Sequence, residues 1–182
     1  MAARFVDFIN YCLSRQSKVV ASNSATSLTR NVITNKGGQT FRKKITLTED
    51  LVILKLNEIW DCDIPFGWIP ISGDRPVPDT EVYQQFHFDT NISNLADIIA
   101  DTYNVTDLYE IQEGGKVTLT NISECGFSYD GLEYLYTDKD FRFVLYFSHE
   151  SSVTVGGKDL INVIHNVWPD YKNHIWTSPF YD

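Results

Sequence analysis

"LEYLYTDKDFRFVLYFS", residues 132–148, holds the strongest β signal in the chain. Aromatic and branched residues alternate on both sides of Thr137-Asp138-Lys139-Asp140, a run of turn formers, so the stretch predicts an antiparallel hairpin. In its second arm Phe141, Phe143, Leu145 and Phe147 fall on one face and Arg142, Val144 and Tyr146 on the other, because successive strand side chains alternate. The expected hairpin buries one face and leaves Tyr146 on the opposite one.

Outward from this hairpin the sequence keeps to short elements. "DLYEI" and "KVTLT" flank Gln112-Glu113-Gly114-Gly115 and predict a second hairpin, while "EVYQQFHFD" alternates as a further strand. "SVTV" turns at Gly156-Gly157 into a helix, "KDLINVIHNVW", that Pro169 stops. "SNLADIIADTYNV" reads as a helix capped by Ser93, with Leu95, Ile98, Ile99 and Tyr103 inward and Asp97 and Asp101 outward. "TEDLVILKLNEIW" predicts a helix over about 49–60, with Thr48 as N-cap and Glu49 and Asp50 at the positive end of its dipole. Nearer the start, Phe5, Phe8, Ile9, Cys12 and Leu13 form one apolar face over 3–15, and a short helix fits around Ala25 to Ile33 before a Gly37-Gly38 turn. Four prolines interrupt the loop from Asp61 to Asp79, in which Phe66, Trp68 and Ile69 serve as anchors. These readings give one α+β domain over 1–182: N-terminal helices, then a mostly antiparallel sheet with flanking helices.

At 182 residues, with 43% hydrophobic and 21% charged side chains, the chain has the balance of a globular domain able to bury a core. Asp7 and Asn10 break the only candidate signal core, and no run of 18 apolar residues suggests a span, so a cytoplasmic protein without membrane attachment is expected. Cys12, Cys62 and Cys125 have neither disulfide nor zinc spacing and read as free thiols.

Charge divides the chain. Residues 1–44 hold eight of the 15 Lys and Arg and one of the 24 acids, a net +7, whereas 45–182 carry −16. An acidic body repels a phosphate backbone, so nucleic acid is not an expected partner despite Arg42-Lys43-Lys44. It attracts a basic protein instead.

Catalytic and metal motifs fail on their particulars. His149 and Glu150 sit where many enzymes keep acids and bases, but adjacent strand residues point to opposite faces, and a strand-end polar pair is the preferred reading. His87 and Asp89 fall on one face of a predicted strand, and Asp170 lies between His165 and His174, yet neither set has metal-ligand spacing. In Gly156-Gly157-Lys158-Asp159 an aspartate stands where a phosphate loop needs a hydroxyl, which favours a tight connection. No cofactor, metal or catalytic residue is assigned. The enzyme alternative rests on His87, Asp89, His149 and Glu150 converging only in the fold.

Thirteen of the 25 aromatics lie from Phe127 onward, ending in "GGKDLINVIHNVWPDYKNHIW". In size, element order and this aromatic C-terminal third, the chain resembles the small acidic immunity proteins of bacterial toxin systems. The resemblance implies a cytosolic inhibitor without catalysis that neutralises one cognate toxin, and the chain is expected to be a monomer or homodimer. A nuclease toxin is basic where it grips phosphate, so carboxylates steer its inhibitor. The expected partner-binding residues are Asp97, Asp101, Asp107, Glu110 and Glu113 as one patch, Asp138 and Asp140 at the hairpin tip as another, and Tyr146 and Trp176 as aromatic anchors.

Overall fold

The computed structural model describes residues 33–34, 40–41, 48–64 and 77–177. The chain divides into two compact units, Met1–Ile45 and Thr46–Asp182, the boundary falling beside the change of charge. In the first unit, β1 (Ile33–Thr34) pairs antiparallel with β2 (Thr40–Phe41). Ile33 is thus a strand residue and not the end of a helix. The predicted helix over 3–15 and the anchors Phe66, Trp68 and Ile69 lie outside the described residues.

The second unit runs α1 (Glu49–Trp60), β3 (Thr80–Gln84), α2 (Gln85–Asn91), α3 (Leu95–Tyr103), β4 (Asp107–Gln112), β5 (Lys116–Asn121), β6 (Tyr134–Thr137), β7 (Val144–Ser148), β8 (Ser152–Gly156) and α4 (Lys158–Val167). Its six strands form one fully antiparallel sheet in the order β3-β8-β7-β6-β4-β5. The α+β class is as the sequence predicts. Both hairpins are present, Tyr134 pairing with Phe147 and Gln112 with Lys116. Gly114 (φ 91) and Gly115 (φ 88) make the β4–β5 turn in a backbone region where side chains are strained.

Both faces of the sheet are buried. Tyr83, Leu108, Tyr136, Leu145, Phe147, Val153 and Val155 face α2, α3 and α4 in one apolar cluster. On the other face Tyr109, Ile111, Leu135, Val144 and Tyr146 meet Val52, Leu56 and Trp60 of α1. All five β7 residues are therefore buried, and Tyr146 with them, where a single buried face was expected. Phe141 also leaves its predicted row. At φ 57 it turns away from Phe143 to pack with Tyr109, ring centroids 6.2 Å apart, and its carbonyl accepts the Trp60 indole N–H at 3.0 Å.

Helix ends depart from the cap predictions in two places. Thr48 stands before α1 without a side-chain cap bond, its carbonyl accepting the Leu51 and Val52 amides. Asn94, not Ser93, precedes α3, whose inward residues Leu95, Ile98, Ile99 and Tyr103 are as expected. The β8–α4 connection is tight: Gly157 has φ 117, and a Cβ on Gly156 would lie 2.7 Å from Val144 Cγ1 and 2.9 Å from the Trp60 ring.

Candidate functional site: a polar cleft and a carboxylate hub

Two connections at one end of the sheet enclose a polar cleft. Asn104 ends α3 in a left-handed conformation (φ 52), which turns the chain into β4 at Asp107. Across from it the β6–β7 connection folds back through a Phe141 N–H to Asp138 O bond of 3.2 Å. Between them lies a cavity of about 350 Å³ lined by Tyr103, Asn104, Thr106, Asp107, Lys139, Asp140 and Arg142, with Asp138 at its wall.

The cations of this cleft are already engaged. Lys139 Nζ lies 3.2 Å from Asp107 Oδ2. Arg142 donates from Nε to Asp138 Oδ2 (2.5 Å), from its amide to Oδ1 (2.8 Å) and from a terminal nitrogen to Tyr103 O (2.9 Å), while its guanidinium sits 4.9 Å over the Tyr103 ring. Asp138 is 0% exposed and works as the internal acceptor of this turn, so it offers no surface to a partner. Asp140, its predicted companion, is exposed.

The remaining expected carboxylates do not form one patch. Asp97 and Asp101 are exposed on α3, as the helical spacing indicates. Asp107 and Glu113 bracket β4, whose six residues at about 3.3 Å each set them roughly 20 Å apart. Glu110 is half-buried between Thr118 and Tyr136. Tyr146 is buried beneath α1, while the half-buried Trp176 donates its indole N–H to Glu150 O at 3.3 Å.

At the opposite end of the sheet, Glu133 gathers four donors. The pairing of Tyr134 with Phe147 carries Glu133 beside Ser148, on the α1 side of the sheet. Its Oε2 accepts the Tyr146 hydroxyl, and its Oε1 meets Ser148 Oγ (3.3 Å), the His149 amide (3.1 Å) and His149 Nδ1. Burial raises the Glu133 pKa, but the bonds from Tyr146 and His149 outweigh it and hold the carboxyl below its ordinary range. The same bond raises His149, and burial, with Glu133 as acceptor, raises Tyr146. The hub borders a small pocket with Ile64, Ile111, Gln112, Glu113 and Leu135.

The suspected His149–Glu150 pair is therefore a His149–Glu133 pair. Glu150 instead donates its amide to Ser148 Oγ at 3.1 Å. Sequence reading missed Glu133; the signal available was the hairpin register, which sets residue 133 opposite residue 148.

Two of the other three histidines meet. Residues 85–91 are helical, so His87 and Asp89 lie about 200° apart around α2 instead of sharing a strand face. His87 stacks on His174 with centroids 3.9 Å apart, and His174 Nε2 reaches Asp170 Oδ2 at 3.3 Å. His165 pairs with Glu81 (2.8 Å) and stacks on Tyr171 (3.6 Å). Among the described residues no three His, Cys, Asp or Glu side chains converge in a metal-binding group, and no helix is long and apolar enough to cross a membrane. Comparisons with protein-family models, with curated proteins and with solved structures found no match to this chain.

Proposed function

We infer that this chain is a binding protein that neutralises a basic protein partner, in the manner of an immunity protein covering the phosphate-gripping surface of a nuclease toxin. One observation carries the reading. Around the cleft Lys139 and Arg142 are spent on Asp107 and Asp138, so among the described charged side chains lining it the exposed one outside these pairs is acidic, Asp140, and α3, which runs into the cleft at Tyr103, carries two more exposed acids, Asp97 and Asp101. Carboxylates so placed speed encounter with a basic surface and select against acidic ones.

The test is a pull-down with the full chain from its native lysate at low and high salt, with bound proteins identified by mass spectrometry. The expected result is one basic protein, released by salt, whose association slows at least tenfold with Asp101→Lys plus Asp140→Lys. Retention of that protein by the doubly reversed variant at unchanged rate and salt dependence sinks the reading.

A second reading, an acid–base enzyme, draws on one feature: His149 is 66% exposed while its partner Glu133 is 12% exposed, the arrangement of a solvent-facing imidazole oriented by a sheltered carboxylate. It separates cleanly from the first. Glu133→Gln abolishes turnover of any substrate that site processes and leaves capture of a basic protein at the cleft intact.

A further inference from the structure

The sheet ends differently at its two edges. On β3, Gln85 N–H bonds Ser151 O and Gly157 N–H bonds Asp79 O, each at 2.9 Å, which directs the odd-numbered residues toward β8 and the even-numbered ones outward. The outward Val82 carbonyl takes the Trp176 amide at 2.9 Å, and Ile175 bridges Tyr83, so the C-terminal segment covers this edge.

On β5 the same parity argument gives an edge that is open among the described residues. Ile122 N–H bonds Thr106 O at 2.9 Å, in register with the Asp107–Asn121 and Gln112–Lys116 pairs, so Lys116, Thr118 and Thr120 direct their backbone groups at β4. Val117, Leu119 and Asn121 direct theirs outward, and no other described strand pairs with them. β5 lacks proline and carries one charge, Lys116. Short edges with prolines, bulges or several charges discourage strand addition, and this one has none of those devices.

Its two flanks differ in chemistry. On the α1 side Val117 packs at the rim of the apolar cluster and Leu119 is 37% exposed. On the other side the short Thr118 stands opposite Glu110, so a side chain on an added strand across from Thr118 starts about 10 Å from Glu110, within reach of Lys or Arg. Glu113 lies at one end of the strand and Glu124 just beyond the other, both exposed.

We propose that β5 takes up an extended segment of the basic partner as a seventh strand, its side chains alternating between apolar residues toward Val117 and Leu119 and Lys or Arg toward Glu110. This inference rests on the basic-partner reading above. Main-chain bonds along the edge supply attraction, and the alternation supplies selection.

The probe is a capped seven-residue peptide alternating Lys and Val, added to the isotopically labelled full chain and followed by amide exchange. The expected result is at least tenfold slower exchange at the Val117 and Leu119 amides, lost in Leu119→Pro and weakened several-fold in Glu110→Gln. Leu119→Pro removes an outward donor without breaking a bond to β4; if circular dichroism shows it unfolded, Val117→Pro replaces it. Three results overturn the proposal: no change at these amides, equal protection by a Glu/Val peptide, or protection in the free protein that rises with its own concentration, which seats a second copy there. None of the three touches the cleft variants Asp101→Lys and Asp140→Lys, so the basic-partner reading stands or falls separately.

Discussion

His149 Nδ1 closes on Glu133 Oε1 across the β6–β7 pair, sixteen residues apart in sequence, and the same carboxylate holds the Tyr146 hydroxyl on its other oxygen. One sheltered acid thereby fixes the end of two central strands and the entry to the turn that follows them.

This hub makes stability depend on pH from both sides. His149 is raised by its bond to Glu133, so its contribution is complete below the ordinary imidazole pKa of about 6.5 and is lost as pH rises through the raised value. Glu133 lies below its ordinary range despite burial, so its contribution is complete above about 4.3 and is lost as pH falls through the depressed value. Urea midpoints for the parent and Glu133→Gln at pH 3, 5.5 and 8.5 should differ most at pH 5.5. In the variant the His149 titration, followed by NMR, should move down toward 6.5.

Removing the hub altogether takes one carboxylate from four donors. Glu133→Ala deletes the acceptor that the buried Tyr146 hydroxyl and the His149 amide share, and a loss of about 1–3 kcal/mol in urea unfolding is expected. His149→Ala, whose ring is largely solvated, should cost well under half of that.

Arg142→Ala tests the cleft wall. It takes the guanidinium from the Asp138 carboxylate, 0% exposed, and keeps only the bond from the residue 142 amide to Oδ1, and breaking such a pair from one side should cost about 2–4 kcal/mol. Arg142→Lys should recover less than half, because one ammonium cannot reach both Asp138 and Tyr103 O as the guanidinium does. Equal unfolding midpoints for the parent and Arg142→Ala would refute this role.

Gly157→Ala places a methyl group at φ 117, with its Cβ 3.0 Å from Phe143 Cβ and 3.1 Å from Arg142 O. Backbone strain and crowding act together, and a loss of about 2 kcal/mol or more is expected by thermal or urea unfolding. Gly114→Ala, at φ 91 with open space around its Cβ, isolates the strain and should cost about half as much.

Thiol reactivity should separate the folded from the unfolded chain. Burial raises Cys62 far above the ordinary thiol range and Cys125 to about 12. Both should react with iodoacetamide at pH 8 at least tenfold more slowly in the native protein than in urea, read by peptide mass spectrometry.

The elements that sequence made legible are those whose signals are local. The hairpin around Gly114-Gly115 needs only its own turn and flanking alternation, and α3 and α4 need only their apolar spacing. What stayed hidden depends on partners far along the chain. Whether Tyr146 is exposed was decided by α1, more than eighty residues earlier, although the uncharged run Val144–Ser148 already hints at burial on both faces. Phe141 left its row because the turn tightens at a positive φ that its own side chain does not favour. Residues 85–91 became helical although their alternation suits a strand, since β3 ends where Gln85 bonds Ser151 O. Of the candidate site, the exposed Asp97, Asp101 and Asp140 were readable, whereas Glu133 required the register and Asp138 required the arginine four residues on.

The capping of β3 by Ile175 and Trp176 also sets an order of events during synthesis. β3 pairs with β8, so Thr80 waits for Gly156 before it enters the sheet, and the outward Val82 carbonyl waits for Trp176. The locally paired β4–β5 and β6–β7–β8 meander can form as it emerges, since its closures are short. A nascent chain halted before residue 175 thus leaves the outward groups of β3 uncovered as well, and it is at this stage that the protein most needs shielding from its neighbours on the same message.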